Sequence, residues 1–162
     1  MAYSTPLYLQ YAHRDIGQRE NLGPNDSLYI RTMLTLLKVS WLRGQAWCGS
    51  AMAYWMQQSG LPYPKDFYRA KSWASYGKPA DGPVLGAIAV KPRVGGGHVC
   101  IVDAVGYKNG VLYYRATGGN QGDAVRQSWF LVTPETVFRL PHGVESHDRF
   151  YAQVGEVGVT EA

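Results

Sequence analysis

Two cysteines in 162 residues are too few for a disulfide framework. One of them, Cys100, lies inside the apolar run Val99-Cys100-Ile101-Val102, where a thiol behaves as a small hydrophobe. Charge is sparse as well: 17% of residues are Asp, Glu, Lys or Arg, and the net charge of +4 comes from dispersed cations. No basic run resembles a nucleic-acid arm, so no nucleic-acid partner is expected, although the excess of cations suits a polyanionic surface. No apolar stretch approaches the length of a membrane span, which excludes stable insertion by a helix. The first 18 residues lack a basic segment followed by an unbroken apolar run, so synthesis in the cytoplasm without a signal peptide is expected. The histidines show no metal-ligand spacing: His13 stands alone, and His142 and His147, with Glu145 and Asp148 near, make only a faint pattern. No repeat or low-complexity segment divides the chain. A single domain over 1–162 is expected, with 1–6 and 155–162 loosely ordered.

What the sequence does hold is 46% apolar residues and 19 glycines, the composition of a globular, loop-rich chain. Ser4-Thr5-Pro6 predicts a helix start, with Leu7, Tyr8, Tyr11 and Ala12 on one face and an end near Gly17. After the turn Glu20-Asn21-Leu22-Gly23-Pro24, Asn25 or Asp26 is placed to cap a second helix whose apolar face is Tyr29, Ile30, Met33, Leu34 and Leu37. A third helix should begin near Cys48 and stop at Gly60, with Pro62 just beyond. A shorter one is expected from Phe67 to Tyr76. From there the pattern turns to strands: 84–90, 99–105, 111–116, 125–132 and 150–154, with Lys108-Asn109-Gly110 as a hairpin turn. Helices first and antiparallel strands second predict an α+β domain with the cysteine helix packed on the sheet.

Chemistry concentrates at three places. Trp47-Cys48-Gly49-Ser50 opens the third helix directly after the loop Arg43-Gly44-Gln45-Ala46. A helix N-terminus carries unpaired N–H groups and roughly half a positive charge, which favours thiolate over thiol and offers donors to an oxyanion beside the sulfur. Gly95-Gly96-Gly97-His98 reads as a glycine loop delivering a histidine to the first position of a buried strand, and Gly118-Gly119-Asn120-Gln121 follows a later strand. Cys48, His98 and Asn120 therefore stand as candidate nucleophile, base and residue that orients the base. The Cys48 N–H is one candidate oxyanion donor and the Gln45 amide another. Trp47, Trp73, Gly97 and Gln121, beside these motifs, are candidates for substrate contact.

Each residue has a plainer reading too. Cys48 taken alone could be a buried structural cysteine, His98 a turn histidine bonded to backbone, and Asn120 a turn residue that tolerates a left-handed conformation. Trp47, Trp55, Trp73 and Tyr76 are most simply core and cleft-wall residues.

Taken together, Trp-Cys48, Ala70-Lys71-Ser72-Trp73, Gly86-Ala87-Ile88-Ala89-Val90, Gly-Gly-His98-Val and Gly-Gly-Asn120-Gln resemble the CHAP and NlpC/P60 superfamily of cysteine peptidases and amidases, most of all a small bacterial and phage subgroup. The resemblance runs from about Leu7 to Val132 in motif order. It departs where many relatives follow the strand glycine with Asp and this chain has Ala87. It implies a papain-like fold, Cys48 as nucleophile, His98 as base, Asn120 as third polar residue, and no cofactor. It also implies hydrolysis of an amide bond in bacterial peptidoglycan, in the stem peptide or between muramic acid and L-Ala, with action in the periplasm or cell wall after release or secretion. A phage lysin with a holin-type partner and a delivered antibacterial effector with an immunity protein both fit, as a monomer in either case. The rival enzyme class is a papain-like protease or deamidase acting on protein. The rival outside enzymology is a catalytically idle binding or tail-structural module.

Overall fold

The structure, a computed structural model, describes residues 5–20 and 27–157. Helix α1 is Leu7–Arg14, with Pro6 at its N-cap; the expected cap Ser4 lies outside the described residues. The helix ends at its C-cap Asp15, whose carboxylate accepts from Tyr29 Oη and Trp55 Nε1, both at 2.9 Å. Helix α2 is Leu28–Leu36. Asn25 and Asp26 lie outside the described residues, and the cap is Ser27, whose Oγ accepts from the Ile30 N–H at 3.2 Å.

Helix α3, Cys48–Gln58, ends as its sequence predicts. Gly60 turns left-handed at φ 71°, its N–H bonds Gln57, and the Leu61 N–H bonds Met56 at 2.9 Å, which satisfies the last carbonyls. Trp55 in this helix is fully buried, and truncating it to Ala would cost about 3–5 kcal/mol. The segment expected as a helix from Phe67 to Tyr76 is instead a short 3-10 helix, Ala70–Ser75. It is anchored from inside: Trp73 Nε1 donates to the Phe67 carbonyl at 2.9 Å and Ser72 Oγ to that of Asp66 at 2.8 Å.

The strands are β1 Lys78–Pro79, β2 Ile88–Arg93, β3 Gly96–Lys108, β4 Val111–Gly118, β5 Arg126–Leu131 and β6 Val137–Leu140. Among the described residues they form one antiparallel sheet in the order β1-β6-β2-β3-β4-β5. The chain is thus α+β. Asn109 and Gly110, at φ 53° and 77°, make the expected hairpin turn between β3 and β4.

Three expectations need correction. Gly96 and Gly97 are not loop residues; they pair with Arg93 and Pro92 in the β2-β3 hairpin, and only residues 94–95 turn. The strand expected at 84–90 begins at Ile88, because Gly86 sits at φ 86° and gives its carbonyl to Tyr8 Oη at 2.6 Å. The segment 150–154 joins the sheet edge only through isolated contacts, with Val105 N–H bonding Phe150 and Ala152 N–H bonding Val105. The helices cover one face of the central strands, in keeping with the expected packing of the cysteine helix on the sheet. Ile88, Val90, Val99 and Ile101 join the helical core, whereas Ala89, Cys100 and Val102 join a second cluster with Tyr114, Ala116 and Phe130. At the C-terminal end, Val157 bridges Trp129, so the described part of 155–162 is tied to β5.

Candidate active site

Cys48 is the first residue of α3, and Trp47 before it provides no side-chain cap, so the helix start keeps its donors for other acceptors. Gly49 allows this start to seat deeply: a Cβ there would stand 2.2 Å from the Phe67 carbonyl oxygen. The thiol is 3% exposed, and both cysteines are reduced. His98, fully buried on β3, is its neighbour. Burial alone would push the Cys48 thiol up. The hydrogen bond and charge of His98, the Val99 backbone and the charge of Arg93 outweigh burial and hold the thiol below its ordinary value. The same pairing acts on the imidazole. Burial pushes His98 down, but hydrogen bonds with Cys100 and Cys48 raise it well above the ordinary value. The two shifts together favour thiolate beside imidazolium.

The tautomer follows from the hydrogen bonds. His98 Nε2 lies 2.9 Å from Gln121 Oε1. The Gln121 amide nitrogen donates to two backbone carbonyls, Ala116 at 3.2 Å and Arg126 at 2.7 Å, so its oxygen is the end turned to the ring. Nε2 therefore carries a proton and donates it to Gln121, and Nδ1 is left for the thiol. Nδ1 is buried and makes no hydrogen bond of its own.

The residue on the far side of the imidazole is thus Gln121, one position beyond the expected Asn120. Asn120 is buried at φ 58°, the left-handed conformation of a turn residue. The two glycines before it act through space. A Cβ on Gly118 would stand 2.4 Å from Gln121 Oε1, and one on Gly119 would stand 2.7 Å from the Ala51 Cβ and 2.9 Å from the Trp47 ring. Gly118 makes room for Gln121 to fold back toward the histidine. Gly119 lets the end of β4 lie against the start of α3.

An open cleft of about 560 Å³ has Cys48 in its lining. Its walls are Ala46, the segment Asp66 to Ser72, and the hairpin from Arg93 to Gly97. Arg69, Lys71 and Arg93 face Asp66 as the charged lining, so the cleft is cationic. Arg93 is fixed by donating Nε to the Gly97 carbonyl at 2.9 Å. Of the residues proposed for substrate contact, Gly97 lies on the cleft wall. Trp73 and Gln121 are fully buried and Trp47 is 2% exposed, so these side chains belong to the core around the site. Gln45 lines an adjoining depression of about 350 Å³ with Trp41, Leu42, Ala46 and Tyr68, not the cleft that holds Cys48.

A second polar centre escaped sequence reading. Asp103, 3% exposed at the β3 bulge, accepts from Arg115 Nε at 2.7 Å, Thr117 Oγ1 at 2.6 Å and Gln127 Nε2 at 2.8 Å, and lies 3.0 Å from His13 Nε2. Burial would raise this carboxyl, but the hydrogen bonds of His13, Arg115 and Thr117 hold it below the usual range. Among the described residues no three metal-ligating side chains gather, and no helix is long and apolar enough to cross a membrane.

Fold and site together define an α+β domain with a buried thiol and imidazole at the floor of a cationic cleft. Compared with protein-family models, curated proteins and solved structures, the chain gives no match.

Proposed function

We propose that this chain is a cysteine-dependent amide hydrolase of papain-like type, related to the NlpC/P60 and CHAP enzymes, and that it acts on bacterial peptidoglycan. The observation that carries the reading is the line of Cys48, His98 and Gln121 beneath an open cleft. The Cys48 thiolate adds to the amide carbonyl carbon, and the Cys48 N–H at the helix start bonds the oxyanion. The His98 imidazolium then protonates the amide nitrogen as the C–N bond breaks, leaving a thioester. Water, deprotonated by His98, attacks the thioester and restores the thiol. Gln121 keeps the proton on Nε2 throughout, so the working nitrogen remains Nδ1. The lining cations suit a substrate bearing carboxylates, as peptidoglycan stems do.

The test is mass spectrometry of purified peptidoglycan incubated with wild-type protein and with Cys48→Ala. New fragments with wild type alone support the reading. Fragments from both proteins would remove Cys48 from the mechanism. Silence on peptidoglycan with cleavage of a protein substrate would leave the thiol chemistry and discard the wall.

A further inference from the structure

Trp41 is the largest exposed aromatic beside the cleft, and neither packing nor the thiol chemistry uses it. It is 68% exposed, yet its ring is held edge-on to Tyr68 at 5.3 Å between centroids. The depression these two rings form is closed by Leu42 and Gln45, and it shares Ala46 and Tyr68 with the cleft that holds Cys48. The two spaces are therefore one groove with different chemistry at each end. Toward Trp41 it offers indole and phenol faces and one neutral amide. Toward Arg93 it offers the guanidinium and ammonium groups of Arg69, Lys71 and Arg93. Tyr68 stands at the junction, with the Arg69 guanidinium 6.0 Å over its ring.

Resting on the hydrolase reading above, we infer that Trp41, Tyr68 and Gln45 form a saccharide subsite beside the nucleophile, so that the acyl half of the substrate carries a sugar ring and the leaving amine carries the anionic peptide. A pyranose presents just this division, with C–H faces that stack on an indole and hydroxyl or acetamido groups at the rim that a glutamine amide can bond. In peptidoglycan, the amide with a sugar a few bonds away on its acyl side is the one joining the muramic acid lactyl group to L-Ala. Amides deeper in the stem have peptide on both sides and would leave the aromatic end empty. The subsite thus selects the muramoyl amide. Cleavage there forms the Cys48 thioester of the lactyl carbonyl and releases a peptide whose new amino terminus is L-Ala.

Two synthetic substrates with the same scissile amide test this: a muramoyl tripeptide, and a lactoyl tripeptide lacking the sugar. Binding of each to full-length Cys48→Ala is measured by calorimetry, and turnover is measured with wild type. Expected is binding of the muramoyl compound at least about tenfold tighter than the lactoyl one, the scale of one aromatic stacking contact. Adding Trp41→Ala should abolish that difference, and Trp41→Phe should restore part of it. In the active background, Trp41→Ala should raise KM for the muramoyl substrate about tenfold while leaving the lactoyl substrate and the rate of Cys48 alkylation within twofold. Equal binding of the two compounds, or equal loss on both in Trp41→Ala, overturns the inference, as does wild-type cleavage confined to amides within the stem. A sugar preference in binding without any cleavage by wild type would uphold the subsite and sink the hydrolase reading.

Discussion

At the residue scale the site turns on which of two adjacent amides meets the imidazole. Gln121→Ala removes the acceptor for His98 Nε2 and frees the ring to rotate or change tautomer, so kcat should fall about 10²- to 10⁴-fold. Asn120→Gly keeps the left-handed backbone at φ 58° and should retain activity within about threefold. Steady-state kinetics on the two variants compares them directly, and the reverse order of effects would return the orienting role to Asn120. The sequence placed both residues at the right spot. Both side chains are buried, and the motif could not say which of them meets the imidazole, because one turn residue at positive φ rotates the next by an amount no motif encodes. The pairing of Cys48 with His98 carries a pH signature. With the thiol held below its ordinary value, alkylation by iodoacetamide should stay fast well below pH ~8.5. His98→Ala leaves burial unopposed by the imidazole, so the apparent thiol pKa should move up. An unchanged profile would mean that the imidazole does not set the thiolate.

Elements that rest on short-range signals were legible, while those that rest on distant partners were not. Helices α1 to α3 and the Asn109-Gly110 turn follow from apolar periodicity and from glycine and asparagine stops within a few positions of each other. Strand β6 did not, because Val-Phe-Arg-Leu is too short to establish a period and its partner β2 lies about fifty residues earlier. Its Arg139 donates to the Tyr76 and Gly77 carbonyls at 2.7 and 3.1 Å. Asp103 was equally invisible, since its ligands come from α1, β4 and β5. That carboxylate ties the first helix to three strands, and Asp103→Ala should destabilise the fold by about 1–3 kcal/mol in urea unfolding, the cost of losing its charged hydrogen bonds and leaving the buried Thr117 hydroxyl without its acceptor. The sign with pH follows from its depressed pKa: the stabilisation is present above the ordinary carboxylate value and is lost as pH falls through the folded one. Asp103→Asn should therefore show a shallower acid limb than wild type. A parallel limb would mean that the charge contributes nothing.

For the molecule as a whole, the sheet carries two apolar clusters: the helical one includes Cys48, and the other packs on β3 through Cys100, Val102 and Val105. The net charge of +4 is modest, but three cations line one cleft, so their field is concentrated where the substrate enters. KM for an anionic substrate should rise severalfold between low and physiological salt, with kcat little changed, as charges more than about 8 Å apart are screened. A KM that ignores salt would remove the cations from recognition. Lys71→Glu should raise KM by a similar or larger factor and flatten the salt dependence that remains.

The tip of the β2-β3 hairpin, in the cleft wall, stands open among the described residues. Val94 is 99% exposed, and a Cβ placed on Gly96 would meet no atom within 4 Å. That makes Gly96 a site for an attached reporter. In a Cys48→Ala background, Gly96→Cys would be the accessible thiol, since Cys100 is fully buried. A single fluorophore there would sit on the lip of the groove without disturbing its floor, and its emission would report occupancy of the cleft in real time, in a protein that holds its substrate and cannot cut it.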